Sequence, residues 1–244
     1  MRKVSDMNDT VEQFEITFNQ IHQHLKELNG YPKNDNFVEL LQRSKLKHSV
    51  IRIHFDQLKQ YAKLRNAIVH ERISGDYYIA SPHEDVVRKL QEIKRTLDQP
   101  PEALQFATRP VLYFKEDTTL IHLVEAFDEH RISQFPIYTK DRSFLGLLTN
   151  EGILHWMASA TADEHLSLKG VTAADILQHE KEANVEFLAA DRTVFDLEER
   201  FENSLDQDRK LKAVLVTETG SSNELPMGIV TTWDLIKVDR RGEG

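Results

Sequence analysis

The sequence has no cysteine, and no stretch approaches the roughly 20 apolar residues needed to span a bilayer. Without thiols there are neither disulfides nor thiolate metal sites, and a cytoplasmic location is expected. The opening residues, Met1-Arg2-Lys3-Val4-Ser5-Asp6, lack the apolar run of a signal peptide. Glycine is scarce too: nine residues, too dispersed to form a phosphate-cradling loop of the P-loop kind. No Rossmann or acyl-transfer pattern occurs. The His22/His24 pair and His83 show no metal-ligand spacing, so no metal is expected. Positive charge is short in the second half, where residues 99–244 carry a net −11 against +2 for residues 1–98. Phosphate repulsion makes an acidic half a poor binder of nucleic acid, so any RNA contact is expected in the first half.

What is present divides into two parts. A chain of 244 residues has room for about two domains. In the first part, Val11, Phe14, Phe18, Ile21, Leu25 and Leu28 recur at helical spacing, which predicts an amphipathic helix. Thr10 and Gln13 have the spacing of its capping box, and Gly30 with Pro32 ends it. Further helices are predicted over Phe37–Leu46 and Ser49–His70, with Gly75-Asp76 breaking the pattern. A fourth follows Ser81-Pro82-His83-Glu84, read as cap, first helical residue and returning carboxylate. Four helices with facing stripes can close into a bundle over residues 1–98. Asp98-Gln99-Pro100-Pro101 stops helix formation and marks a boundary.

The second part is one unit written twice. Val111, Asp117, Thr119, Leu120, Leu123 and Phe127 recur in kind as Val185, Asp191, Thr193, Val194, Leu197 and Phe201. Phe135-Pro136-Ile137 answers to Lys212-Ala213-Val214, and Gly146-Leu147-Leu148-Thr149 to Gly228-Ile229-Val230-Thr231. The offset between copies grows only at polar stretches, as loop insertions require. Each copy reads strand, helix, strand, strand, helix, and the two are expected to pack around shared apolar faces.

This repeat resembles a tandem pair of CBS domains (a Bateman module), with copies over 107–163 and 168–244. The resemblance rests on the element order, on Phe135-Pro136-Ile137, and on the Gly-x-x-Thr-x-x-Asp ending at Gly228, Thr231 and Asp234. It implies an adenine nucleotide in the cleft between repeats: AMP, ADP, ATP or a cyclic dinucleotide. The resemblance assigns phosphate to the Thr hydroxyl and helix start, and the ribose hydroxyls to the Asp. A strand that stops at Thr and turns into a helix does present unpaired N–H groups to an anion. Thr-x-x-Asp is equally a plain capping box, with Asp234 reaching back to Thr231. In the first copy Gly152 stands where Asp234 would, so one good site is expected at Thr231 and a degraded one at Thr149. By resemblance the base lies against Lys212-Ala213-Val214 in the first and Gln134-Phe135-Pro136 in the second.

In the first part, Arg65-Asn66-Ala67-Ile68-Val69-His70 resembles the Arg-x(4–6)-His motif of HEPN domains, helical units that often act as metal-independent ribonucleases and work as dimers. The residue types suit that chemistry. Histidine titrates near neutrality and can shuttle a proton, and arginine holds a phosphate in its fork. Asn66 shares a helix face with His70 and can orient its ring, while Arg65 lies about 140° away, so convergence on one phosphate is easier across a dimer. From Gln42 to Arg65 seven Lys and Arg face one acid, Asp56. The bland reading is a His favoured at a helix C-terminus on a solvated basic face.

Together these features predict an α+β chain: an N-terminal four-helix bundle followed by a tandem β-α-β-β-α CBS pair. The expected function is adenine-nucleotide sensing by a homodimer, with the CBS pair controlling the helical domain. The alternatives are a metal-independent ribonuclease on Arg65, Asn66 and His70, and a non-enzymatic adaptor for a protein partner.

Overall fold

The computed structural model describes residues 4–70, 72–74, 77–78, 81–161, 167–180, 184–206 and 210–241, with backbone alone at 4–8, 70, 72–74, 77–78, 206 and 237–241. The fold is α+β: helices in the N-terminal part are followed by a region of alternating strand and helix. One unit comprises Met1–Pro101 with Lys237–Gly244, and the other Glu102–Ile236.

In the first unit α1 (Val4–Leu28), α2 (Phe37–Lys47), α3 (Ser49–His70) and α4 (Glu84–Asp98) bury one stripe each. Phe14, Ile21 and Leu25 of α1, Leu40 and Leu41 of α2, Ile51 and Leu58 of α3, and Leu90 of α4 are all fully buried. Phe18 stacks on Phe37 with ring centroids 4.4 Å apart, and Phe14 meets Tyr61 edge-on. This unit is not helices alone. Two short strands, β1 (Arg72–Ser74) and β2 (Tyr77–Tyr78), pair antiparallel between α3 and α4. The predicted break at Gly75-Asp76 lies outside the described residues.

Two helix starts differ from expectation. Residue 10 lies inside α1, whose helical backbone begins at Val4, so Thr10 caps nothing; its hydroxyl meets that of Ser81 at 3.3 Å. Gln13 bonds Asp9 one turn back instead. Ser81 being thus engaged, α4 starts two residues later, with His83 in extended backbone and its Nδ1 accepting from the Asp85 N–H. Gly30, at φ +67°, closes α1 as expected, because the left-handed region suits glycine.

The second unit holds two three-stranded sheets of the same plan. Sheet one pairs β3 (Phe114–Lys115) parallel with β4 (Gln134–Tyr138), and β4 antiparallel with β5 (Phe144–Thr149). Sheet two pairs β6 (Asn184–Ala189) parallel with β7 (Leu211–Thr217), and β7 antiparallel with β8 (Gly228–Val230). The crossover helices are α5 (Leu120–His130) and α8 (Val194–Asp206); α6 (Asn150–Ala160) and α9 (Thr232–Arg241) follow the last strands. The predicted strand over 111–114 is shorter than expected, because only Phe114 and Lys115 meet the β4 ladder.

Each repeat is completed by the segment that precedes the other in sequence. A 3-10 turn, Ala103–Gln105, and the residues after it pack into the core of the second sheet. Thr108 exchanges both backbone bonds with Ile229, and the Ala103 N–H donates to Arg192. Conversely α7 (Ala173–Leu177) buries Ala173 and Ile176 against the first sheet, and the Leu120 N–H donates to Val171. The sheets also meet directly, through Phe144 edge-on to Phe187 at 5.1 Å and the Phe144 N–H donating to Ser222. Neither copy has a closed core alone.

Candidate functional site

The residues singled out in the second unit converge at the two places where a sheet gives way to a helix. In the second repeat Val214 pairs with Val230, so one residue beyond that pair Ala213 and Thr231 lie side by side at the start of α9. In the first repeat Gln134 pairs with Thr149 and Phe135 with Leu148, which brings Gln134, Phe135 and Pro136 beside the start of α6. Ala213, Val214 and Phe135 are fully buried, while Lys212 and Gln134 at the strand starts are half-buried.

At α9 the Asp234 carboxylate turns back on its own helix start. Its Oδ2 accepts from the Thr231 N–H at 3.0 Å and from the Thr231 hydroxyl at 2.8 Å. Asp234 is only 7% exposed. The capping-box contact thus exists, and it is not peculiar to this place. Asp175 takes the same two bonds from Thr172, and Asp196 from Thr193. The Thr–Asp contact thus recurs at the starts of α7, α8 and α9, and it leaves the choice of ligand to the surroundings.

At α6 the same contact is made by a residue from elsewhere. Gly152, three after Thr149, has no side chain to return. Glu180, just after α7, fills the gap: the Thr149 N–H donates to its Oε1 at 2.5 Å and the Thr149 hydroxyl to its Oε2 at 3.2 Å. A Cβ on Gly152 would collide with that Oε1. Burial pushes the Glu180 carboxyl above the ordinary range, opposed by the two bonds from Thr149, while the Glu151 charge adds to the rise. Sequence reading did not find Glu180, since it lies 31 residues from Thr149 in a stretch with no motif.

Lys212, whose backbone was expected beside the base, sends its ammonium to Glu151 Oε2 at 2.8 Å, on the first turn of α6. The cation holds the Glu151 carboxyl below the ordinary range. Lys212 therefore links the β7 strand of one repeat to the helix start of the other. The second unit also has two clefts. One of about 480 Å³ is lined by Glu186, Arg192, Asp196 and Arg200 beside β6 and α8. The other, about 340 Å³ and apolar, runs past Val124, Phe127, Ile132, Asn150 and Ile153 between α5 and α6.

In the first unit Arg65 and Asn66 sit in the last turns of α3, Arg65 half-buried and Asn66 exposed. The side chain of His70 lies outside the described residues. Arg52, Lys59, Lys63 and Asn66 are exposed and recur at spacings of seven, four and three, which puts them on one face of α3. Among the described residues no three His, Asp or Glu side chains are grouped to hold a metal. No described helix is long and apolar enough to cross a membrane.

No curated protein matches the chain. Solved structures of similar fold include the CBS domain of a CBS domain containing membrane protein from Sphaerobacter thermophilus, 22% identical over 62% of this chain and 97% of that one, TM-score 0.44. The CBS domain pair of protein MJ0100, in complex with 5'-methylthioadenosine and S-adenosyl-L-methionine, is 16% identical over 59% and 98%, TM-score 0.40. CBSX2 in complex with AMP is 13% identical over 59% and 99%, TM-score 0.41. The family model that matches is the CBS domain, over residues 103–159.

Proposed function

We propose that the second unit binds an adenine nucleotide at the start of α9 and regulates the N-terminal helical unit through it. The observation that carries this reading is the start of α9, where Thr231 and Asp234 stand beside the start of β7. The first turn also offers helix-start N–H donors for phosphate and a carboxylate for the ribose hydroxyls. Regulation then requires that the nucleotide prefer one of two placements of α9.

The test is calorimetry of the full chain against AMP, ADP, ATP and a cyclic dinucleotide, on wild type and Asp234→Asn. Asparagine keeps an acceptor for the Thr231 cap but loses the charge. Binding by at least one nucleotide, weakened about tenfold in Asp234→Asn, is the expected result, since a hydrogen bond to a charged group is worth about 1.5–3 kcal/mol. Silence with every nucleotide, or equal affinity in the two proteins, sinks the reading.

The shared basic face of α3 favours a second activity in the first unit, phosphodiester cleavage in RNA by Arg65 and His70 with Asn66 orienting the ring. Wild type and His70→Ala, incubated with single-stranded RNA and a chelator, are expected to differ by at least about 100-fold in rate, the contribution of a positioned acid–base group. Equal rates would leave α3 as a docking face only.

A further inference from the structure

Side chains of β6 alternate between two faces. Phe187 turns to the first repeat, where it meets Phe144, while Glu186 and Leu188 turn to α8. The cleft of about 480 Å³ lies on the α8 side, so it is separate from the space between the repeats. Its volume is that of a small-molecule site. Leu188, 2% exposed, is its apolar lining. Arg192, Asp196, Glu199 and Asn203 recur at spacings of four, three and four and line its helix side. Most of the charge in the cleft is already committed. Arg200 donates to Glu186 at 3.0 Å, and Asp196 Oδ2 holds the Thr193 N–H and hydroxyl. Arg192 Nη1, by contrast, stands 3.9 Å from Asp196 Oδ1, beyond hydrogen-bond reach. Glu199 and Asn203 are exposed, and their side chains have no polar partner among the described residues.

The cleft therefore offers one open cation and one open carboxylate, about two helical turns or about 10 Å apart along α8. A simple anion would meet Asp196 and Glu199 beside the arginine, and among the described residues no three acids or histidines are grouped to hold a metal. A molecule with opposite charges at its two ends satisfies both groups. We propose that this cleft binds a short peptide with both ends free. Its carboxylate lies in the fork of Arg192, and its ammonium donates to Glu199 and to the Asn203 amide oxygen. Three extended residues span about 10 Å, which matches the separation of the two groups. The polarity suits the helix as well, since Arg192 stands at the positive N-terminal end of α8 and Glu199 lies further along it. This inference goes beyond nucleotide binding at α9 and does not depend on it, because it uses none of the residues there.

The experiment uses the full chain, labelled with ¹⁵N and titrated with triglycine, N-acetyl-triglycine and triglycine amide, with the amide signals of Leu188, Asp196 and Asn203 followed. Triglycine is expected to shift these signals saturably, and either cap to weaken binding about tenfold by removing one charge. Arg192→Gln and Glu199→Gln alter exposed side chains and are expected to keep the wild-type Tm while each loses about tenfold in triglycine affinity. Matched losses are expected not to add: amidation costs nothing further in Arg192→Gln, and acetylation nothing further in Glu199→Gln. No saturable shift with triglycine in wild type, or cap losses that persist undiminished in the matched variants, overturns the proposal. Both variants leave Thr231 and Asp234 intact, so failure here and failure of nucleotide binding are read separately.

Discussion

Replacing Phe135 by alanine is expected to cost the second unit about 3–5 kcal/mol, the range for emptying a buried aromatic site. Phe135 is fully buried on β4, edge-on to Phe114 at 4.9 Å and tilted against Phe127 at 4.5 Å. It therefore joins the strand, the crossover helix and the central ladder of the first repeat. The neighbours cannot collapse into the space, because Leu123, Ile137 and Leu148 around it are themselves fully buried on regular elements. The damage also reaches the functional residues, since Gln134, next in the strand, pairs with Thr149 at the start of α6. Urea unfolding, followed by fluorescence of Trp156 in the same core, measures the loss. A change under about 1 kcal/mol would show that this core is not the rigid support described.

Replacing Gly228 by valine is expected to cost about 3 kcal/mol, toward the upper end for overpacking. The first atom added there would lie 2.6 Å from the Ala107 Cβ and 3.0 Å from Leu104 Cδ1. Both belong to the segment that crosses from the first repeat to complete the second. Backbone bonds between Thr108 and Ile229 hold that segment one residue away, so it cannot withdraw without breaking them. The distinguishing measurement is rescue. Gly228→Ala meets mainly the Ala107 methyl, and a second change, Ala107→Gly, is expected to recover most of its loss in urea midpoint. No recovery would mean that the crossing segment is not what confines Gly228.

These two positions also show why the folding unit is the pair. Phe135 belongs to a core closed by Ala173 and Ile176, and Gly228 to one closed by Ala103. Each closing residue precedes the opposite repeat in the chain. Cutting the chain between the copies would leave each sheet with an apolar face uncovered and an edge strand unpaired.

The order of elements was legible in the chain because periodicity is local. The 3.6-residue patterns over Phe37–Lys47 and Ser49–His70 follow from each helix burying one face, and Gln134–Tyr138, buried on both, reads as a short apolar run. The glycine stop at Gly30 and the Thr at each strand end were equally plain, since each depends on neighbours within a turn. Helix starts were less so: Thr10 and Ser81 satisfy each other across 71 residues, which no local rule foresees. The five residues of α7 and the two-residue strands are too short to carry a period.

Only the tertiary structure decided which segment closes which sheet, because 103–108 and 171–177 are joined to one repeat by the chain and to the other by burial. Gly152 read as a lost function in one dimension; in three it is the room that Glu180 occupies. Lys212 belongs by its strand to the second repeat, and its ammonium lies at a helix start of the first. A sequence states which side chains are present and how the next few residues will bend. Charges and carboxylates act through space, over distances that the chain's own order does not measure.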